Sequence, residues 1–229
     1  MQNDPTLLER WKMGDPTVLN LADFYPQTEA LGPGKRAVIW MQGCALRCPG
    51  CVSPSYRPFT PASLFETEAL AARILKNPEI VGLTVSGGEP VHQSIGISRL
   101  IDLLHAQRPE LTILSYSGYT LEELITRTDI PGIADYLSRL DCLIDGPYLQ
   151  ALDDGFTGLR GSSNQKIHHF TSRLQDFDFE NTIRHPEIHI QNNQLVFIGV
   201  PSQGFLNALD HAMGAVLHIR QRLVEDVRS

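Results

Sequence analysis

Gly43-Cys44-Ala45-Leu46-Arg47-Cys48-Pro49-Gly50-Cys51 carries three of the chain's four cysteines within eight residues, spaced C-x3-C-x2-C. Thiolates are soft ligands, suited to iron–sulfur clusters, zinc or copper(I). Three of them stop one short of closing a tetrahedral or cubane site, which leaves a position open for chemistry. On a [4Fe–4S] cluster that position is one iron without a protein thiolate. A structural zinc site completed by His92 or Cys142 is the alternative, although such sites favour two ligand pairs and this chain has one tight triplet. The run just before the cysteines, Arg36 to Gln42, is short, β-branched and aromatic, and reads as a buried strand feeding the loop.

Strands and helical patterns then alternate. Ser63-Leu64-Phe65-Glu66 has the form of a capping box and predicts a helix to about Asn77. Ile80 to Val85 reads as a strand, with Ser86-Gly87-Gly88-Glu89-Pro90 at its end. Ile97, Leu100, Ile101 and Leu104 share one face of a helix over about 95–107, closed by Pro109. Leu111 to Tyr116 is a third strand, Thr120-Leu121-Glu122-Glu123 a second capping box, and Cys142 to Ile144 a fourth strand leading to Asp145-Gly146. This alternation predicts a parallel α/β sheet or a β/α barrel. The polar loops Cys44–Cys51, Ser86–Pro90, Ser117-Gly118 and Asp145-Gly146 each follow a strand, the side on which barrels and open α/β sheets both bind ligands. Cys142, inside a strand, reads as a small buried hydrophobe.

Outside this region the signals are weaker. Leu7-Leu8 and Trp11 suit a short docking helix or a loose segment, while Tyr25-Pro26 and Gly32-Pro33-Gly34 are turn signals. Gly32-Pro33-Gly34-Lys35 fails the phosphate-loop template, since Glu29 and Arg36 occupy required positions. Glu187 to Gln191 and Gln194 to Gly199 flank Asn192-Asn193 as a hairpin. Gly204 to about Val227 has a helical stripe of Phe205, Leu209, Met213, Val216 and Leu217, read as core packing.

The 229 residues are 42% hydrophobic, enough for one core with appendages. A formal net charge of −7 argues against a general nucleic-acid surface. No apolar run approaches a membrane span, and Met1–Arg10 lacks the apolar core of a signal peptide. Clustered cysteines then read as a metal site in a reducing compartment, and the cytoplasm is the expected location.

The cysteine triplet followed by Ser86-Gly87-Gly88-Glu89-Pro90 resembles the radical S-adenosylmethionine (SAM) superfamily. Tyr25-Pro26, Gly32-Pro33-Gly34, Cys48-Pro49-Gly50-Cys51, Ser117-Gly118-Tyr119, Asp145-Gly146 and Arg160-Gly161-Ser162-Ser163-Asn164-Gln165, in that order, resemble its glycyl-radical activase branch, the activating proteins of anaerobic ribonucleotide reductase. The likeness covers about Leu19 to Phe170. That family usually ends near the Arg160–Gln165 block, whereas about 60 more residues follow here. Its common Trp-Thr-Gly-Tyr is Tyr116-Ser117-Gly118-Tyr119.

The resemblance implies a fold, an incomplete β/α barrel of the radical SAM type. A core over 19–170 would carry an N-terminal extension over 1–18 and a C-terminal extension over 171–229 that adds the hairpin and helix. It implies a [4Fe–4S] cluster on Cys44, Cys48 and Cys51, and SAM held by Ser86, Gly87, Gly88 and Glu89 with help from Ser117 and Asp145. No catalytic side chain is expected beyond the cluster and SAM. The implied reaction is reductive cleavage of SAM to a 5′-deoxyadenosyl radical that installs a glycyl radical on anaerobic ribonucleotide reductase or a related enzyme. Flavodoxin or ferredoxin would donate the electron at a basic patch of Lys35, Arg36 and Arg47. A peptide or small-molecule substrate is the alternative within the same chemistry, and a non-catalytic zinc-binding interaction module the alternative outside it.

Overall fold

A computed structural model describes residues 5–153, 155–191, 194–202 and 204–212. Its centre is a seven-stranded sheet in the order β3-β1-β2-β4-β5-β6-β7. The strands are β1 (Val18–Thr28), β2 (Arg36–Met41), β3 (Ser63–Glu66), β4 (Gly82–Gly87), β5 (Thr112–Ser117), β6 (Cys142–Asp145) and β7 (Lys166–His169). The four inner strands β2, β4, β5 and β6 run parallel, and β1, β3 and β7 pair antiparallel at the flanks. The protein is therefore mixed α/β with a parallel-rich sheet.

Side chains alternate across the sheet, so each inner strand serves two layers. Ala37, Ile39, Met41, Leu83, Val85, Ile113 and Leu143 face helices α2 (Thr67–Leu75), α3 (Ser94–His105) and α5 (Ile133–Leu137) in the main core. The α3 residues Ile97, Leu100, Ile101 and Leu104 fill that layer as the periodicity predicts. A short helix α4 (Leu121–Thr126) starts at the Thr120 capping box, with Thr120 and Glu123 each accepting from the other's backbone N–H. The opposite sheet face is covered by later chain. Leu159, Leu174 and Phe179 pack on Leu114, Cys142 and Ile144, and Ile198, Val196 and Val200 pack on Leu31, Val38 and Trp40.

The sequence reading needs three corrections. Ser63–Glu66 is an edge strand on Val18–Leu21, and α2 starts at Thr67, whose N–H bonds Thr17 O. The S-x-x-E pattern yields to pairing with a neighbouring strand, a tertiary contact that local spacing cannot express. Tyr25-Pro26 lies within an 11-residue strand, where a register irregularity between Tyr25 and Thr28 accommodates a residue without an N–H. Arg36 is not at the surface. Its side chain is fully buried, and its guanidinium donates to Thr84 Oγ1 (2.8 Å), Thr112 Oγ1 (2.7 Å), Leu83 O (2.8 Å) and Thr112 O (2.8 Å). Desolvation lowers its pKa to about 10.

The N-terminal helix α1 (Pro5–Lys12) is held by Arg10, which bonds Asp15, Glu66 and Thr17. The hairpin of β8 (Glu187–Gln191) and β9 (Gln194–Ile198) forms as its pattern suggests, while its turn at Asn192-Asn193 lies outside the described residues. Residues 204–212 are helical, and the remainder of the expected helix, from Met213, also lies outside them. Among the described residues no helix is long and apolar enough to cross a membrane.

Candidate cluster and cofactor site

The cysteine loop begins where β2 ends. Gly43 turns the chain with φ +102°, and its N–H bonds Tyr56 O (2.8 Å), while Cys44 N–H bonds Arg57 O (2.9 Å). Both ends of the 43–57 segment are thereby pinned together as an Ω-type loop. Gln42 Nε2 reaches Pro58 O (2.8 Å) from below. Inside the loop Cys51 N–H bonds Cys48 O, and Gly50 takes φ +75°.

The second motif packs on the first. Gly88 N–H bonds Met41 O (2.8 Å) and Glu89 N–H bonds Gly43 O (2.9 Å). A Cβ on Gly88 would lie 2.4 Å from Gly43 O, and one on Gly87 2.3 Å from Met41 N. The two glycines therefore let two backbones meet, in addition to any approach to a ligand. The third loop closes the same way, since a Cβ on Gly118 would lie 2.3 Å from Leu46 Cδ1.

Glu89 is the brace between them. Its carboxylate accepts from Ser117 Oγ (2.9 Å), Gly118 N (2.8 Å) and Val91 N (3.3 Å), and it is fully buried. Desolvation raises its pKa to about 7 against the opposing pull of those three donors. Behind it His92 Nε2 accepts from Ala45 N (3.4 Å), and its ring meets Phe59 and Tyr119 edge-on. Burial lowers the His92 pKa, in keeping with that accepting, neutral nitrogen.

Cys44, Cys48, Cys51, Ser86, Gly87, Gly88, Glu89 and Ser117 all line one half-open cleft of about 220 Å³. The strand ends bring them together because β2, β4 and β5 are parallel and in register, Met41 opposite Gly87. Asp145 stands apart from the wall. Its carboxylate accepts from Leu121 N and Lys166 N (3.3 Å), with His168 Nε2 2.9 Å away, so it ties β6 to β7 and to α4. Its neighbour Gly146 does reach the cleft. Cys142 is three residues deeper on β6, in the core with Leu114 and Ile144.

Trp40, Arg57, Tyr148, Gln165 and Val200 also line the cleft and carried no sequence signal, except that Gln165 belongs to the Arg160–Gln165 block. That block braces itself: Gln165 Oε1 accepts from Gly161 N (2.7 Å), and its Nε2 donates to Gly146 O (2.8 Å). The expected basic patch separates into two ends. Lys35 pairs with Glu79 and Arg36 is buried at the start of β2, while Arg47 is exposed on the cysteine loop.

The donor set suits a cluster. Three free thiols surround one cleft, and burial pushes the Cys44 thiol up to about 11, so metal charge is needed to draw off its proton. Among the described residues no three Cys, His, Asp or Glu side chains converge as a single-ion site.

Three thiols on the loop after β2, facing the loops after β4 and β5 across one cleft, make this an α/β protein with a cysteine-rich site at the carboxyl end of its parallel strands. Residues 30–168 match the 4Fe-4S single cluster domain family. The anaerobic ribonucleoside-triphosphate reductase-activating protein of Escherichia coli K12 is 31% identical over 158 residues, covering 66% of this chain and 99% of the relative. The protein of the same name from Salmonella typhi is 33% identical, covering 64% and 96%, and that of phage T4 31%, covering 65% and 93%. The chain belongs to the 4Fe-4S single cluster domain family, in the branch of these activating proteins. QueE from Escherichia coli shares 14% identity at a TM-score of 0.39, covering 63% of this chain and 75% of its own.

Proposed function

We propose that the protein is a radical SAM activase that installs a glycyl radical on an anaerobic ribonucleotide reductase. One observation carries the reading: the cysteine triplet, the Gly87-Gly88-Glu89 segment and Ser117 wall a single cleft in a chain whose relatives are named as activating proteins of anaerobic ribonucleoside-triphosphate reductase. Cys44, Cys48 and Cys51 would hold a [4Fe–4S] cluster as its three protein ligands. Bound together, the cluster and SAM supply one-electron cleavage of the sulfonium and a radical able to abstract hydrogen from carbon.

The chain's own share is position and dryness. Backbone groups of Ser86, Gly87 and Gly88 offer a close-approach surface for the amino-acid end of SAM. Glu89 holds Ser117 and Gly118 against that surface by accepting from both. Trp40, Leu46 and Val52 give the cleft an apolar lining that keeps water from a reactive species. No side chain is required as a conventional acid or base. Asp145 contributes at one remove, by fixing the strand end that carries Gly146.

Residues 19–170 form the catalytic core, with helix α1 and the described residues 171–191 and 194–202 packed on it. The core is an incomplete barrel; its sheet ends in two separate edges, β3 and β7, and the gap admits a protein loop. Arg47 on the cysteine loop and Arg57 on the cleft wall suit an acidic flavodoxin or ferredoxin as electron donor. A cysteine triplet that serves as a ligand set fits the reducing cytoplasm. Anaerobically reconstituted protein mixed with the reductase, SAM and a reductant is expected to give a glycyl EPR doublet on the reductase. Formation of 5′-deoxyadenosine without that doublet would refute the assigned substrate.

A further inference from the structure

Val200 and Pro201 line the cluster cleft, and they also line a second cavity of about 360 Å³ on its far side. That cavity is walled by Gly155, Phe156, Ile183, Pro186 and Phe205. One short run of backbone therefore separates two spaces. Both residues lie beyond residue 168, where the family match ends, and the Escherichia coli relative is spanned almost whole by 66% of this chain.

The run is held from both sides. Upstream, Glu187 Oε1 accepts from Glu29 N (2.8 Å) and the His189 ring packs against Tyr25 at 4.8 Å with a 40° tilt, fixing the hairpin to β1. Arg184 pairs with Asp153 (3.0 Å) with both side chains buried, and donates to Gly158 O and Arg160 O. Ile198 and Val200 pack on Leu31, Val38 and Trp40, and Leu31 and Trp40 are themselves cleft residues. Gly199 makes the bend at φ +141°, where a Cβ would lie 3.0 Å from Pro186 Cα.

We infer that Val200 and Pro201 are specificity-determining residues: they form a partition that sets the depth of the cleft and so which part of a substrate polypeptide reaches the reacting carbon. This rests on the activase reading for its substrate, but the partition itself is testable without it. The geometry makes two demands. Added bulk at Val200 fills the space beside Trp40 and shortens the cleft. Lost bulk thins the wall and joins the cleft to the second cavity, which lengthens it and admits water.

The chain has two tryptophans, Trp11 and Trp40. In full-length reconstituted protein carrying Trp11→Phe, acrylamide quenching of Trp40 is expected to rise at least twofold on Val200→Ala and to fall on Val200→Phe. With the reductase, SAM and dithionite, Val200→Phe is expected to lower the glycyl radicals formed per 5′-deoxyadenosine at least tenfold. Val200→Ala is expected to raise 5′-deoxyadenosine formed per glycyl radical at least threefold. Unchanged quenching in both variants overturns the partition. So does a wild-type radical yield per 5′-deoxyadenosine with Val200→Phe. A wild-type protein that cleaves SAM yet never marks the reductase overturns the activase reading alone, and the quenching result still decides the partition.

Discussion

Replacing Glu89 by Gln isolates the cost of burying a charge at the centre of the site. The carboxyl titrates near 7 in the folded chain against an ordinary value of 4.5, because it is fully buried. The folded state then binds more protons than the unfolded state between those values. Stability from the neutral form is complete below about 4.5 and is lost as pH rises through about 7. At about 1.4 kcal/mol per unit, the ionised group costs the fold about 3 kcal/mol at pH 8. Gln removes that charge but offers one accepting oxygen to Val91 N, Ser117 Oγ and Gly118 N, and an orphaned buried donor costs about 1–3 kcal/mol. The variant is therefore expected to be less stable than the wild type near pH 5 and about equal to it or more stable at pH 8. Urea denaturation of the iron-free, reduced proteins across that range measures the difference, in which all other titrations cancel. A difference constant within about 0.5 kcal/mol would refute the buried-charge account.

Other substitutions test other parts. Changing Cys44, Cys48 or Cys51 to Ala is expected to abolish iron retention and SAM cleavage, while Cys142→Ala keeps both and costs about 1 kcal/mol in unfolding assays. Gly88→Ala places a Cβ 2.4 Å from Gly43 O, so iron content after reconstitution should fall at least fivefold, with the far-ultraviolet circular dichroism kept. Arg36→Met strands the carbonyls of Leu83 and Thr112 and should lower stability by about 2–4 kcal/mol. Its folded fraction should cleave SAM normally, because Arg36 lies five strand residues, roughly 16 Å, from the cleft end of β2.

What was legible depended on whether a contact is local in the chain. β2, β4, β5 and β6 announce themselves as short apolar runs, and the loops after them carry chemistry that the parallel register gathers. The antiparallel flanks were hidden. β1 contains a proline, β3 imitates a capping box, and β7 is the polar Lys166-Ile167-His168-His169, so each is a strand only because a neighbour pairs with it. Arg36 resembled a surface cation until Thr84 and Thr112, 48 and 76 residues away, supplied its acceptors. Glu89 lines the same cleft as the cysteines, and its bracing of Ser117 and Gly118 is a fact of packing. Val200 has no local mark at all, since its role comes from what it stands between.

The backbone bonds that join Gly43 to Tyr56 and Cys44 to Arg57 involve no sulfur side chain. The noose around the metal is therefore tied by amides that oxygen does not attack. Oxidation of the thiols would leave those ties in place, so the loop's closure does not depend on the redox state of the residues it carries.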